Sequence, residues 1–205
     1  HLTGFVYVKN IEEKKRRELE LLRQSRIDPL TNLLNRAASL QEINYILNES
    51  GQKESALLII DVDNFKNVND TFGHMYGDKV LAGIAYKLKN IFDTDAIVGR
   101  LGGDEFLVFL QHTADRPFLE CKAQCILETF FNVFPGQLKH CRLTCSVGIS
   151  RCPEDGLDFQ DLFQRCDQAL YQAKHAGKNR FAFYDGTIVP RVFGLDSRHV
   201  FASGT

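Results

Sequence analysis

The stretch AIVGRLGGDEFLVFL, residues 96–110, decides how this chain folds. Two strand-like segments, residues 96–101 and 106–110, flank the four residues Gly102-Gly103-Asp104-Glu105. Glycine adopts positive φ angles without a steric penalty, so a pair of glycines favours a tight turn. Two strand-like runs joined by a short glycine-containing loop predict a β-hairpin.

Apolar periodicity on either side of the hairpin predicts the other elements. Residues 56–62 (ALLIIDV) are apolar almost throughout, which is typical of a central strand buried on both faces. Helices are predicted over residues 37–48, 65–72, 80–91, 118–131 and 159–175, and further strands over residues 142–150 and 181–184. The order β, α, β, β, α, β predicts a split βαβ plan, an α/β (α+β) fold with a mainly antiparallel central sheet and flanking helices.

The composition is that of a globular chain and excludes one class of partner. Hydrophobic residues make up 44% of the 205 residues and charged residues 25%, which disfavours a disordered chain or a coiled-coil rod. The 25 basic and 26 acidic residues give a formal net charge of -1, without the basic excess typical of binding to phosphate backbones. We therefore expect no nucleic acid partner.

The cysteines and the longest apolar run indicate where the chain resides. The six cysteines form no C-x-x-C pair, so we expect packing roles and reduced thiols rather than a zinc or redox site. The longest apolar run, residues 56–60, is far shorter than the roughly 20 residues of a membrane span. We expect a cytoplasmic segment without direct membrane insertion, cut from a longer or membrane-anchored protein.

Three regions are predicted along the chain. Residues 1–27 contain a strand-like run, residues 4–8, and a charged helix with Glu12 and Arg16 at i,i+4 spacing. Asp28 precedes a proline, which ends that helix because the α conformation is disfavoured before proline. The main domain is therefore placed at residues 28–185, and residues 186–205 form a tail of unknown role.

Acidic residues stand where a plain fold would avoid them. Asp61-Val62-Asp63 ends the buried strand, where a carboxylate must be paired, hydrogen-bonded or bound to a cation. Asp104-Glu105 occupies the hairpin turn. If the hairpin lies beside the central strand, Asp61 and Asp104 converge. Two carboxylates and substrate phosphate oxygens make an oxygen-only site, which suits Mg²⁺ and not Zn²⁺.

A third group of polar residues, Asn69, His74 and Asp78, lies on the short helix and at the start of the next one. Plain alternatives exist for these features. Asp78 would also serve as a helix cap, and Lys174 and Lys178 would also complement the dipole at a helix C-terminus. A Gly-Gly-Asp turn occurs in many hairpins without any binding role. The residues alone therefore indicate an α/β domain with a candidate Mg²⁺ site.

The sequence resembles a known family at five spaced motifs. RLGGDEF at residues 100–106 matches the signature of the GGDEF domain, the diguanylate cyclases. The resemblance includes DPLTNLLNR from Asp28, DVDNFKNVNDTFGHMYGD from Asp61, TCSVGIS from Thr144 and DQALYQAKHAGKNR from Asp167. Residues 4–18, GFVYVKNIEEKKRRE, look like the last strand and exit helix of a PAS-type sensor.

The resemblance implies a fold like that of nucleotidyl cyclases and polymerase palms, and an activity. The family condenses two GTP into cyclic di-GMP and releases two pyrophosphates, with Mg²⁺ as cofactor and Mn²⁺ as a substitute. Each monomer binds one GTP, so the resemblance implies a homodimer, controlled here by the upstream sensor in the same chain.

Roles of individual residues are also implied by the resemblance. The metal would be held by Asp61, Asp104, Glu105 and the Val62 carbonyl, and Glu105 would accept the proton of the attacking 3'-hydroxyl. Substrate contacts are implied for the guanine-binding Asn69 and Asp78, the phosphate-binding Lys66, Lys174 and Lys178, and for His74, Gly102 and Gly103.

The sequence departs from the family at one regulatory motif. The product-inhibition motif Arg-x-x-Asp would fall on residues 93–96, DTDA, where both defining residues are missing. We therefore expect no feedback through that site. Two other classes of function stay open: a GTP-binding regulatory module without turnover, and a structural or interaction role with the hairpin as plain turn chemistry.

Overall fold

The structure, a computed structural model, describes residues 26–49, 54–92, 96–131 and 143–186. The elements are β1 (Leu34–Asn35), α1 (Arg36–Glu49), β2 (Ser55–Asp63), α2 (Phe65–Phe72), α3 (His74–Ile91), β3 (Ala96–Gly102), β4 (Glu105–Gln111), α4 (Arg116–Phe131), β5 (Thr144–Cys152), α5 (Phe159–His175) and β6 (Arg180–Phe183). The sensor-like strand and helix before residue 26, the tail after residue 186, and Asp93 of the feedback motif lie outside the described residues.

A six-stranded sheet in the order β1-β3-β4-β2-β5-β6 forms the centre of the described domain. The α/β fold is confirmed, and β3 and β4 form the predicted antiparallel hairpin. One detail is corrected: the sheet is mixed, because the edge pairings β1 with β3 and β5 with β6 are parallel. β1 has only two residues. Its pairing depends on a tertiary contact that hydrophobic periodicity cannot indicate.

Strand β2 is central and separates two hydrophobic cores. All nine of its residues are buried, as a near-continuous apolar run predicts. Alternate side chains of a strand point to opposite faces. Leu58, Ile60 and Val62 pack in the core that includes residues of α3 and α4, whereas Leu57 and Ile59 pack in the core that includes residues of α1 and α5. The carboxylates of Asp61 and Asp63 continue the second of these faces.

The cysteines in the described strands and in α5 are packing residues. Cys145, Cys152 and Cys166 are buried and Cys121 and Cys125 are exposed. Burial raises the pKa of the Cys166 thiol. The predicted packing role of Cys166 is therefore consistent with its position. No helix among the described residues is both long enough and apolar enough to cross a membrane.

Helix α5 approaches strand β5 closely because position 148 is glycine. A Cβ atom there would overlap the carbonyl oxygen of Cys166 and would lie 2.5 Å from the backbone nitrogen of Leu170. The Cys166 thiol lies 3.1 Å from the Gly148 carbonyl oxygen, so the helix backbone rests directly on the strand. This close packing fixes the position of the C-terminal end of α5, which carries Lys174.

We predict that Gly148→Ala lowers the free energy of unfolding by about 2 kcal/mol or more, because overpacking against backbone atoms cannot be relieved by a side-chain rotation. Urea unfolding followed by circular dichroism measures the change. A loss below about 0.5 kcal/mol, the range of neutral surface substitutions, would contradict the close approach.

Candidate active site

The carboxyl end of β2 lies beside the turn between β3 and β4. In the antiparallel register of β2 and β4, Asp61 is opposite Glu105. The backbone N–H of Val62 donates a hydrogen bond to the Asp104 carbonyl oxygen at 3.2 Å. The structure therefore brings Asp61, Asp104 and Glu105 to the same edge, together with the main chain of Val62.

The Asp61 carboxyl group is buried among charges of both signs. Its residue is 9% exposed, and its Oδ2 lies 2.8 Å from Nζ of Lys174. Burial raises the pKa of Asp61 to about 6; Lys174 opposes this rise, and the charges of Asp104 and Glu105 add to it. Three like charges at one edge favour a cation between them.

The donor atoms at this edge fit a hard divalent cation. Asp61, Asp104 and Glu105 offer carboxylate oxygens and Val62 offers a carbonyl oxygen, the ligand types that Mg²⁺ prefers. Within the described ranges, no group of three or more His, Cys, Asp or Glu side chains is arranged so that it could hold a metal ion by itself. The protein oxygens would therefore have to be supplemented, for example by the phosphate oxygens of a nucleotide.

The hairpin turn is shaped by two glycines. Gly102 has φ 140° and Gly103 has φ 54°, a region in which other residues are strained. A Cβ atom at either position would meet nothing within 4 Å. Backbone conformation therefore requires glycine at position 102 and favours it at position 103, and the space above both residues is open to a ligand.

The turn is held by an arginine for which the sequence indicated no role. Arg100 donates from Nε and Nη2 to the carbonyl oxygen of Gly103, at 3.1 and 2.7 Å. Its Nη1 pairs with the Asp28 carboxylate at 3.1 Å. Burial raises the pKa of Asp28, but hydrogen bonds from Thr31 and Arg100 outweigh it and lower the pKa overall. Asp28 and Arg100 are 72 positions apart, so their contact leaves no local signal.

Asn69 and Asp78 lie on the two helices that follow β2. A Cβ atom at Gly77 would overlap Asn69 Oδ1, so the glycine lets the Asn69 side chain rest against α3 beside Asp78. Helix α3 begins at His74 and its N-cap is Gly73. The alternative in which Asp78 caps this helix is therefore wrong, because Asp78 is the fifth residue of the helix. The Asp78 side chain is exposed. His74 is also exposed, in the first turn.

Two of the three predicted lysines reach the end of β2. Lys174 pairs with Asp61, and Nζ of Lys178 donates to Oδ1 of Asn64 at 2.7 Å. Lys66 is exposed in the first turn of α2. The contacts of Lys174 and Lys178 with residues near the end of β2 are more specific than a general complement to the dipole of α5.

A comparison with models of protein families identifies the family of this chain. The family profile described as "Diguanylate cyclase, GGDEF domain" matches residues 25–180. The chain belongs to the GGDEF domain family.

Curated relatives carry the domain within longer chains. The GGDEF chain is 39% identical over 158 residues to diguanylate cyclase DgcP of Pseudomonas aeruginosa, covering 75% of this chain and 23% of that protein. It is 36% identical over 180 residues to diguanylate cyclase DgcM of Escherichia coli K12, covering 84% and 42%. It is also 33% identical over 184 residues to the cyclic di-GMP phosphodiesterase PdeR of the same strain, covering 90% and 28%. The chain thus spans less than half the length of these relatives.

Solved structures share the fold. The coiled coil and GGDEF domain of DgcB from Caulobacter crescentus, a complex with c-di-GMP, gives a TM-score of 0.71 at 25% identity, covering 86% of this chain and 95% of that chain. The active GGEEF domain of a diguanylate cyclase from Vibrio cholerae gives 0.69 at 30% identity, covering 76% and 99%. The sheet and helices described above are therefore those of a GGDEF domain.

We predict that Asp61→Asn stabilises the metal-free protein at pH 7.5 by about 1 to 3 kcal/mol. The folded pKa of Asp61, about 6, exceeds the unfolded value of 3.8, so its contribution to stability falls as pH rises through this window and stays lost above it. An amide keeps the oxygen that accepts from Lys174 but carries no charge. Urea unfolding in EDTA, measured from pH 4 to 8, gives the difference.

The advantage of Asp61→Asn should vanish near pH 4, where the aspartate is protonated as well. Asp70→Asn, which changes an exposed carboxylate of α2, serves as the control and should show no such gain. An Asp61→Asn protein that is less stable than the parent at pH 7.5 would contradict the raised pKa.

Proposed function

We propose that this GGDEF domain is a diguanylate cyclase that condenses two GTP into cyclic di-GMP with release of two pyrophosphates. The observation that supports this proposal is the position of Asp61, Asp104 and Glu105 at the same edge of the sheet. Lys174 and Lys178 contact residues at the end of β2, and Asn69 and Asp78 lie on α2 and α3. An acidic edge, a basic side and a polar pair for a base match the parts of a nucleoside triphosphate. Similarity to proteins named diguanylate cyclases supports the same reaction.

The residues of the chain divide the chemistry among them. Asp61, Asp104 and the Val62 carbonyl would hold Mg²⁺, which when bound would neutralise charge on the phosphates of GTP and lower the pKa of the 3'-hydroxyl. Glu105 accepts the proton of that hydroxyl as its oxygen attacks the α-phosphorus of the second GTP. Lys66, Lys174 and Lys178 stabilise the negative charge of the leaving pyrophosphate. The open backbone at Gly102 and Gly103 lets the nucleotide approach the turn.

The stoichiometry of the reaction calls for two copies of the domain. Each chain supplies one acidic edge and one set of base contacts, and the product contains two nucleotides joined by two new bonds. Two facing domains would hold the 3'-hydroxyl of each GTP against the α-phosphate of the other GTP. The reacting groups would then be held in place and would not have to meet by diffusion. We propose that catalysis occurs in a homodimer, and that an upstream sensor domain of a cytoplasmic or membrane-anchored protein controls how the two domains meet.

A regulatory module that binds GTP without turnover is the second candidate. The similarity to PdeR, a protein named as a cyclic di-GMP phosphodiesterase, favours it, because such a domain lies within a protein named for a different activity. The presence of Glu105 argues for turnover, since binding alone needs no proton acceptor. Incubation with GTP and Mg²⁺ followed by chromatography distinguishes cyclic product from bound, unchanged GTP.

We predict that Glu105→Gln lowers the rate of cyclic di-GMP formation by about 10² to 10⁴, because the amide cannot accept the proton of the 3'-hydroxyl. GTP binding, measured by isothermal titration, should change by less than threefold, since the size of the side chain is kept. The matched control is Glu120→Gln on the exposed face of α4, which should leave the rate unchanged. Turnover by Glu105→Gln within threefold of the parent would remove the proposed role of Glu105.

We predict that the parent prefers GTP over ATP by about tenfold to a hundredfold, because Asp78 accepts from the N1–H and N2 amino groups of guanine, whereas adenine presents an acceptor at N1. Asp78→Asn should reduce this preference about tenfold. Competition binding with the two nucleotides measures the ratio, and the exposed Asp70→Asn should retain it. Equal binding of ATP and GTP by the parent would contradict the base contacts.

A further inference from the structure

Asp63, the last residue of β2, is a buried carboxylate that the proposed reaction does not use. It is 3% exposed. Its Oδ1 accepts from Oγ of Ser146 at 2.7 Å, and its Oδ2 accepts from Oγ1 of Thr144 at 2.7 Å and from the backbone N–H of Asn179 at 3.1 Å. Buried carboxylates require such partners in place of water. Two donors come from the neighbouring strand β5, and the third comes from the connection between α5 and β6.

That connection has an uncommon backbone conformation. Gly177, Lys178 and Asn179 have φ angles of 113°, 61° and 48°. Positive φ at residues other than glycine is uncommon, and persists where surrounding contacts fix it. The N–H of Lys178 donates to the Ala173 carbonyl oxygen at 3.1 Å. Asp63 then provides a buried acceptor for the next N–H, that of Asn179.

The same connection carries Lys178 to the candidate site. Nζ of Lys178 donates to Oδ1 of Asn64, the residue that follows Asp63. Two consecutive residues at the end of β2 therefore hold two consecutive residues of the connection. The Lys178–Asn64 bond is exposed to water, whereas the Asp63 carboxylate is buried. Water competes less for a part-buried hydrogen bond than for an exposed one, so the bond from Asn179 to Asp63 restrains the connection more strongly than the Lys178–Asn64 bond.

We propose that Asp63 is a positioning residue that places Lys178 against the phosphates of GTP. The inference rests on the proposed function, in which Lys178 contacts the phosphate groups. The ammonium group of a lysine stands at the end of a flexible four-carbon chain, and the volume that it can reach is centred on its backbone, so an unrestrained backbone would spread the ammonium group over a larger volume. Asp63 fixes that backbone through Asn179 and contacts no nucleotide itself.

Asp63→Ala in the full chain tests the proposal. Removal of the acceptor for the Asn179 N–H should raise the KM for GTP about tenfold, as expected for loss of one charge-assisted contact, while kcat stays within threefold. Asp63→Asn should keep KM within about twofold. Its amide oxygen accepts from Asn179 and Thr144, and its NH₂ group donates to Ser146, whose hydroxyl can also accept.

A double-mutant cycle with Lys178→Met separates positioning from a general loss of structure. If Asp63 acts through Lys178, Asp63→Ala adds no further increase in KM to the Lys178→Met protein. Asp155→Ala is the matched control. Asp155 is also a buried carboxylate, 8% exposed, that accepts from a backbone N–H, that of Arg151, but it lies just after the end of β5 that is far from the candidate site. This variant should lower stability and leave the KM of the folded protein unchanged.

Hydrogen exchange of residues 177–180 gives a second readout that does not depend on turnover. Exchange should be faster in Asp63→Ala and unchanged in Asp63→Asn. If the parent neither binds nor converts GTP, the proposed function fails, and the exchange rates still decide whether Asp63 holds the connection. Unchanged exchange in Asp63→Ala, additive effects with Lys178→Met, or an Asp63→Asn protein as impaired as Asp63→Ala would each overturn the inference.

Discussion

The pairing of β2 with a strand on each side is the constraint on which the rest of the structure depends. Antiparallel registers with β4 and β5 set Asp61 opposite both Glu105 and Ser146, and Asp63 opposite Thr144. A slip by one residue would exchange the side chains of β2 between the two cores and would turn Asp61 and Asp63 away from their partners, which favours this register. The acidic residues lie at the end of β2, where the buried strand reaches the edge of the sheet and a charged ligand can approach.

Asp61 and Asp63 show how similar carboxylates acquire different properties on one face of one strand. Three neutral donors satisfy both carboxylate oxygens of Asp63, which is therefore suited to hold structure in place. Burial raises the pKa of Asp61; the ammonium group of Lys174 opposes this rise only in part, and the carboxylates of Asp104 and Glu105 add to it. Ionised carboxylates that lower the stability of the ligand-free protein in this way are typical of sites that bind a cation and a substrate.

The candidate site is assembled from segments far apart in the chain. The turn that carries Asp104 and Glu105 is connected through Arg100 to Asp28, at the beginning of the domain. The lysines arrive from α5 and from its connection to β6, and Asn69 and Asp78 from α2 and α3. The geometry of the turn thus depends on how the first residues of the domain are held. This is the end of the domain at which the proposed sensor would act.

Local sequence determined much of this protein. The hairpin, the buried strand β2 and helix α5 follow from periodicity and turn residues, because these depend on neighbours a few positions away. The motifs around Asp61 and Gly102 also indicated the acidic edge. Only the tertiary structure showed that the edge strands are parallel and that Asp78 does not cap a helix. It also showed the contacts of Arg100 with Asp28 and of Asp63 with Asn179. Those contacts join residues 72 and 116 positions apart. Strand register and helix packing create them, and no local pattern in the chain encodes either.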